Sequence, residues 1–288
     1  MSETEQRRVV VVTGAGGYIG RHVVMALEAS GFPVRALVRP GSRRDLGFTT
    51  AEVLEVDVLG DADGCDAVLG SDTLAVIHLA WQDGFVHNAP SHMALLSQHF
   101  RLLEQIVDAG VPHLSVLGTM HEIGYWEGAI AADTPTNPRS LYGIAKDALR
   151  RAAFVAFADR TNLTWLRCYY IYGDDRNNNS IFTRLLEAVD AGKETMPFTS
   201  GKNRYDFVDV DELGSQIAAV ATTPGVAGVI NCGSGVAESL GERVEAFIRD
   251  QALPIRLEYG AFPDRPYDSP AVWGDPSALT AALARRSH

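Results

Sequence analysis

Near the N-terminus an apolar run breaks into three glycines set three residues apart: Val9-Val10-Val11-Val12-Thr13-Gly14-Ala15-Gly16-Gly17-Tyr18-Ile19-Gly20. An amphipathic stretch, Arg21 to Ser30, follows at once. The pattern predicts a strand, a tight turn and a helix in direct succession, the unit that binds a dinucleotide pyrophosphate. In that unit Gly14 permits the turn, Gly17 lets the backbone approach the phosphates, and Gly20 lets helix and strand pack closely. The helix start offers free N–H groups and a partial positive charge to the anion. Tyr18 and Ile19 stand at that start and join the glycines as candidate cofactor contacts. A lone glycine pattern is often an ordinary turn. Here the strand before it, the helix after it and a second motif downstream argue for a nucleotide site.

The second motif is Tyr142-Gly143-Ile144-Ala145-Lys146. Residues four apart on a helix share one face. A tyrosine hydroxyl, with a reference pKa of about 10, is a poor acid-base catalyst at neutral pH. A neighbouring ammonium stabilises the phenolate and lowers that pKa. Alone, such a pair is usually a surface contact; with the glycine turn it is far more specific. The two motifs together resemble the short-chain dehydrogenase/reductase superfamily. The glycine spacing and the length resemble its extended branch, which modifies nucleotide sugars.

A chain of 288 residues can bury a large core and suits one mixed domain with a smaller lobe. The formal net charge of −11 argues against nucleic-acid or anionic-membrane partners, so an anionic substrate needs a local cluster of Arg or Lys. Cys65, Cys168 and Cys232 show no metal spacing and suit a reducing cytosol. The short polar N-terminus gives no sign of a signal peptide, and no apolar run is long enough to span a bilayer. These features predict a cytoplasmic protein that holds no metal.

Strand-like and helix-like segments alternate through the first 170 residues. Strand candidates are Val9–Thr13, Val34–Val38, Val53–Glu55, Leu74–Leu79, Leu114–Leu117 and Leu163–Cys168; helical stretches include His92–Ala109 and Ser140–Arg160. Such alternation predicts a parallel sheet covered by helices on both faces. Asp108-Ala109-Gly110-Val111-Pro112 reads as a helix end with a glycine cap. The expected fold is a doubly wound α/β sheet of Rossmann type with a small C-terminal substrate lobe. Residues 1–172 form the dinucleotide-binding part, with a returning segment near 205–233, and 173–204 and 234–288 form the lobe.

Strand two ends Ala36-Leu37-Val38-Arg39, where NAD-specific sites place Asp or Glu for the ribose 2′-hydroxyl. Arg39, Arg43 and Arg44 would instead pair with a 2′-phosphate, which favours NADP(H) over NAD(H). A solvated basic loop is the plainer alternative. Further roles come from the resemblance. Asp57 and Val58 match the segment whose Asp meets the adenine amino group. Leu79 and Ala80 match the fourth strand, which runs along the cofactor. His78 reads as a buried strand histidine, and Trp81 as a residue that narrows the pocket or stacks on a sugar. Thr119 falls at the catalytic Ser/Thr position, where its hydroxyl would bond the reacting carbonyl oxygen. Met120 and His121 replace the Asp-Glu pair of sugar dehydratases, which argues against water elimination, and Glu122 is out of register. His121 is either a substrate contact or a structural residue. Tyr170 stands where the family carries an Asn. Arg204 and Arg265 match arginines that meet the substrate diphosphate. Asn179, in a polar loop, and Asn231, in a further family segment, complete the expected substrate set with Trp81, Met120, His121, Tyr142, Tyr170, Arg204 and Arg265.

The function these residues imply is NADPH-dependent reduction of a nucleotide-linked 4-keto-6-deoxy sugar. Tyr142 would donate the proton, Lys146 would lower the Tyr142 pKa and hold the nicotinamide ribose, and Thr119 would polarise the carbonyl. A nucleotide-sugar 4-epimerase with bound NAD uses the same residues. A reductase of small carbonyls and a non-catalytic NADP sensor are further alternatives. The resemblance also implies a homodimer through the helices near His92–Ala109 and Ser140–Arg160.

Overall fold

The expected strand, turn and helix form as β1 (Val9–Thr13) and α1 (Tyr18–Ala29). The computed structural model describes residues 8–42, 46–60, 65, 68–173, 176, 178, 180–264 and 269–286. Arg43, Arg44, Asn179 and Arg265 lie outside the described residues. The chain continues through β2 (Val34–Val38), β3 (Glu52–Glu55), β4 (Thr73–His78), α2 (Ser91–Ala94), α3 (Leu96–Asp108) and β5 (His113–Thr119). A single 3-10 turn, Met120–Glu122, leads to β6 (Gly128–Ile130), α4 (Leu141–Phe157), β7 (Asn162–Cys168) and β8 (Tyr170–Tyr172). The rest comprises α5 (Ile181–Asp190), β9 (Thr195–Pro197), β10 (Arg204–Asp209), α6 (Val210–Thr222) and β11 (Gly228–Cys232). It ends with β12 (Ala237–Ser239), α7 (Leu240–Asp250), β13 (Arg256–Glu258), β14 (Ala271–Gly274) and α8 (Ser277–Arg286).

Seven strands pair in the order β3-β2-β1-β4-β5-β7-β11, all parallel. Successive side chains point to opposite faces of a strand, so each strand feeds two cores. Val10, Val12, Ala75 and Ile77 pack with Val23 and Leu27 of α1, Leu213 and Ile217 of α6, and Leu279 of α8. Val11, Val76, Leu114 and Val116 pack with Leu102, Leu103 and Ile106 of α3, and Leu149 and Phe157 of α4. Burial on both faces explains why these strands are nearly all apolar. This is the doubly wound Rossmann fold. Its strand order reverses between β1 and β4, and ligands of such sheets bind at the carboxyl ends beside that reversal.

A second sheet runs β12-β10-β14-β6, with β8 on β10, and β13 pairs with β9. Its core gathers Phe182, Leu185, Phe207, Val244 and Ile255. Thus β6 leaves the first half of the chain to join this lobe, while α6, β11 and α8 return to the main sheet.

Local differences from the sequence expectations have local causes. α1 starts at Tyr18 rather than Arg21, because Gly17 is the N-cap in extended conformation (φ −77°, ψ 174°). The stretch from His92 is two helices, broken at Leu95 (φ −96°, ψ 0°). α3 ends as expected: Gly110 takes φ +75° and donates to the Val107 carbonyl. Among the described residues no helix is long and apolar enough to cross a membrane.

Candidate active site

The glycine turn forms a cradle that side chains cannot enter. Gly14 has φ +69°, and a Cβ there would stand 2.6 Å from the Ala80 nitrogen. A Cβ on Gly20 would stand 2.1 Å from the Gly14 carbonyl oxygen. The end of β4 therefore closes directly over the turn: Leu79 N donates to Thr13 O, and Ala80 N to Thr13 Oγ1. No side chain caps the start of α1, and Gly17 faces solvent there with Tyr18 and Ile19 half-buried beside it. A helix start left in this state is suited to an anion. The cradle thus fits a dinucleotide pyrophosphate on its own geometry. The Tyr18 hydroxyl donates to Gly173 O at 2.6 Å and ties the cradle to the loop after β8.

Thr119, Tyr142 and Lys146 converge at the carboxyl end of β5. α4 is started by Ser140, whose hydroxyl accepts from Gly143 N, and by the loop after β4, whose His87 carbonyl accepts from Tyr142 N. This fixes the first turn of α4 so that the Tyr142 hydroxyl faces the Thr119 side chain. One helical turn on, buried Lys146 donates from Nζ to Leu117 O at 2.6 Å. Its Nζ also lies 3.8 Å from the centroid of the Trp81 ring. Burial pushes the Lys146 pKa down to about 7, against the pull of Glu122. The Tyr142 phenol is pushed up, by burial first, with Thr119 acting in the opposite sense. The lowering of the Tyr142 pKa expected from Lys146 does not arise in the protein alone: the lysine charge is itself destabilised by burial, and its amine faces a backbone carbonyl.

A wall of aromatic rings surrounds this centre, and most of it was not read from the sequence. Trp81 stacks on His99 (4.2 Å, 15°), donates to His92 Nδ1 at 3.0 Å and meets Tyr142 edge-on at 6.1 Å. These contacts favour pocket narrowing as its role over sugar stacking. His78 is a buried strand residue, as expected: it bonds Thr13 Oγ1 at 2.8 Å and His99 at 2.9 Å, and burial pushes its pKa to about 3. His121 lies against His87 (4.3 Å) and Tyr142 (6.0 Å). His87 and His92 were missed; the cue was their place in the loop after β4, at the ligand-binding end of the sheet.

Other expected site residues are placed elsewhere or used differently. Met120 is buried in the lobe core, not open to a substrate. Glu122 is fully buried and accepts from Thr119 N and from Trp165 Nε1, each at 2.8 Å. It is therefore a capping and scaffold residue, consistent with the expectation that it does not serve elimination. Asn231 is buried with its amide spent on Ile130 O (2.7 Å), Asp275 O and the Tyr169 hydroxyl, which leaves nothing for a substrate. Arg204 is exposed and donates from Nε and Nη2 to Ala237 O. Strand alternation turns the buried face of β10 to Tyr205, which stacks on Tyr170 at 4.3 Å. The diphosphate role expected of Arg204 does not match this placement, and Tyr170 serves lobe packing. Asp57 is exposed and turned to the Leu59 and Gly60 amides, with Val58 packed under the sheet. Arg39 is exposed at the end of β2. Among the described residues no His, Cys, Asp and Glu group is arranged to hold a metal.

Dinucleotide-dependent oxidoreductases place a tyrosine, a lysine and a hydroxyl beside such a cradle, and this chain is one of them. Residues 10–233 match the NAD dependent epimerase/dehydratase family, and the chain belongs to that family. It is 43% identical over 267 residues to dTDP-6-deoxy-L-talose 4-dehydrogenase (NAD(+)) of Aggregatibacter actinomycetemcomitans, covering 92% of this chain and 98% of that protein. It is similar to the solved structure of MoeE5 in complex with UDP-glucuronic acid and NAD (26% identity, TM-score 0.76, 96% of this chain and 92% of that one). The fold is shared with UDP-glucose-4-epimerase from Stenotrophomonas maltophila (17% identity, TM-score 0.83, covering 96% and 93%).

Proposed function

We propose that this chain interconverts the 4-keto and 4-hydroxy forms of a nucleotide-linked 6-deoxyhexose, with dTDP-6-deoxy-L-talose as the 4-hydroxy sugar. The observation that carries the reading is the contact between the Tyr142 and Thr119 hydroxyls, with Lys146 behind them and the glycine cradle beside them. The sugar comes from the 43% identical relative, which spans nearly the whole chain. In the reductive direction the 4-keto oxygen lies between the two hydroxyls. Thr119 donates a hydrogen bond to it, and Tyr142 delivers the proton. A phenol held up by burial is protonated at neutral pH and ready for that step. Lys146, charged, stabilises the phenolate left behind. Gly14, Gly17, Tyr18, Ile19 and Gly20, with Leu79 and Ala80, would hold the nicotinamide dinucleotide. That group, when bound, supplies or accepts the hydride. The reverse direction is the dehydrogenation for which the relative is named.

Two observations bear on the cofactor and point apart. The relative's name specifies NAD(+), which favours NAD(H). An exposed Arg39 at the end of β2, in place of an acidic residue, favours NADP(H). The test is a panel of nucleotide-linked 6-deoxyhexoses and their 4-keto forms, each with both cofactors. The reading expects net reduction or oxidation of nicotinamide equal to sugar converted. Interconversion of two sugars with no net redox change and a tightly held cofactor would replace it with the 4-epimerase. Turnover of small carbonyls alone would discard the nucleotide sugar.

A further inference from the structure

Of eight histidines in the chain, five meet at the active centre, and they divide by hydrogen bonding. His78 bonds Thr13 and His99; His92 bonds Trp81 and the Val86 carbonyl; His99 bonds His78. These three build the wall. His87 and His121 differ: among the described residues no protein group takes a ring nitrogen of either. They are nonetheless held in place. The His87 carbonyl accepts from Tyr142 N, and the His121 amide donates to Thr119 Oγ1 at 3.3 Å. Their rings touch each other at 4.3 Å and flank Tyr142 at 5.6 and 6.0 Å. One comes from the loop after β4 and the other from the turn after β5, neighbouring strands whose carboxyl ends lie on the ligand-binding side of the sheet.

We propose that His87 and His121 form the sugar-reading pair of this site and bond the hydroxyl next to the reacting carbon. The proposal rests on the nucleotide-sugar reading above. In a 6-deoxyhexose that reacts at C4, the adjacent hydroxyl is on C3. A hydroxyl both donates and accepts, and so does a neutral imidazole, through one N–H and one bare nitrogen. Two neutral imidazoles in contact match one such hydroxyl, one ring donating and the other accepting. Desolvation favours the neutral form of both rings: it pushes the His121 pKa down to about 4 and lowers that of the more exposed His87. Neutral rings exert no pull on the diphosphate, which leaves them to the sugar.

The test uses dTDP-6-deoxy-L-talose and its 3-deoxy analogue with the full-length protein. His87→Phe and His121→Phe keep a ring against Tyr142 and keep both backbone contacts, but remove the ring nitrogens. A hydrogen bond of ordinary net strength corresponds to roughly a three- to tenfold effect. Each variant is expected to raise KM for the 3-hydroxy sugar by that factor, and to erase a like part of the preference over the 3-deoxy analogue. Rates with the analogue stay near those of the unmodified protein. His121→Asn, which restores a donor and an acceptor, recovers part of the preference. Equilibrium binding of the nucleotide sugar should follow KM, while NAD binding does not change. If the unmodified protein oxidises the talose sugar and the Phe variants keep its preference for the 3-hydroxyl, the histidine pair is refuted alone. If the unmodified protein neither binds nor converts any nucleotide sugar, the histidine pair falls together with the functional reading.

Discussion

Two polar clusters meet at Thr119, and they are built on opposite principles. In the first, Glu122 takes the Thr119 amide and the Trp165 indole N–H on one oxygen. Its other oxygen faces Arg167 at 3.5 Å and Arg150 at 3.7 Å. Arg167 continues to Ala131 O and Asn231, and Asn231 ties β11 to β6 and to the residue after β14. Nearby Asp206, also fully buried, accepts from the Ser234, Gly235 and Gly274 amides. These groups join sheet to lobe, and each aims polar atoms at protein partners, Glu122 at the charges of Arg167 and Arg150. In the second cluster, half-buried Tyr142 and His121 and exposed His87 flank one another beside buried Lys146, whose Nζ donates to Leu117 O, and among the described residues no protein group takes a ring nitrogen of either histidine. Residue type does not separate the two. The first holds Glu, Arg and Asp, the usual material of catalysis, yet it is scaffold. The residues we propose to work on the substrate come from the second cluster.

The comparison can be broken at its strongest point first. Tyr142→Phe keeps the ring contacts and removes one hydroxyl, so it should lower kcat by about 10²–10⁴-fold with cofactor binding and melting temperature nearly unchanged. A loss of only a few-fold would remove Tyr142 from the chemistry. Arg167→Met should do the reverse. Leaving Glu122 short of a buried partner costs about 3–5 kcal/mol of unfolding free energy, while kcat of the folded fraction stays within a few-fold. Denaturant unfolding and active-site-normalised rates check the pair. A variant as stable as the parent, or one folded but inactive, would erase the distinction between scaffold and site.

A third expectation concerns acid. His78 and His99 are buried and neutral, with pKa values pushed by burial to about 3 and about 2, from 6.5 when exposed. The unfolded chain therefore binds more protons than the folded one in this range. Their contribution to stability is complete above about pH 6.5 and is lost as pH falls towards 3. Between pH 7 and pH 5 the loss should be about 2 kcal/mol per histidine, read from urea unfolding at the two pH values. Equal stability at both would mean that these rings are not sealed in the wall. The smallest effect is at the cleft's rim. Arg39→Asp should shift the NADPH-to-NADH affinity ratio towards NADH by roughly tenfold. An unchanged ratio would make Arg39 plain surface charge.

What the sequence revealed and what it hid follow from range. β1, its glycine turn and the Tyr142/Lys146 pair are local patterns, fixed by strand and helix periodicity, and they lie where the spacing puts them. Thr119 was legible because a strand end is. Arg204 was misread because only the pairing of β10 with β8 and β14 decides that Tyr205, not Arg204, faces inward. Asn231 was misread because its four partners come from β6, β7, the residue after β7 and the residue after β14, none near in sequence. His87 stayed hidden for the same reason. A loop histidine carries no period, and its value comes from docking on the first turn of α4.

The proposed function puts hydride transfer at C4 of the sugar, where Tyr142 and Thr119 meet. It is tested most directly with dTDP-6-deoxy-L-talose carrying deuterium at C4, oxidised by the purified protein with NAD. The deuterium is expected on the reduced nicotinamide, one equivalent for each 4-keto sugar formed, with no transfer by Tyr142→Phe on the same timescale. Deuterium kept on the sugar or released to water while product accumulates would contradict it.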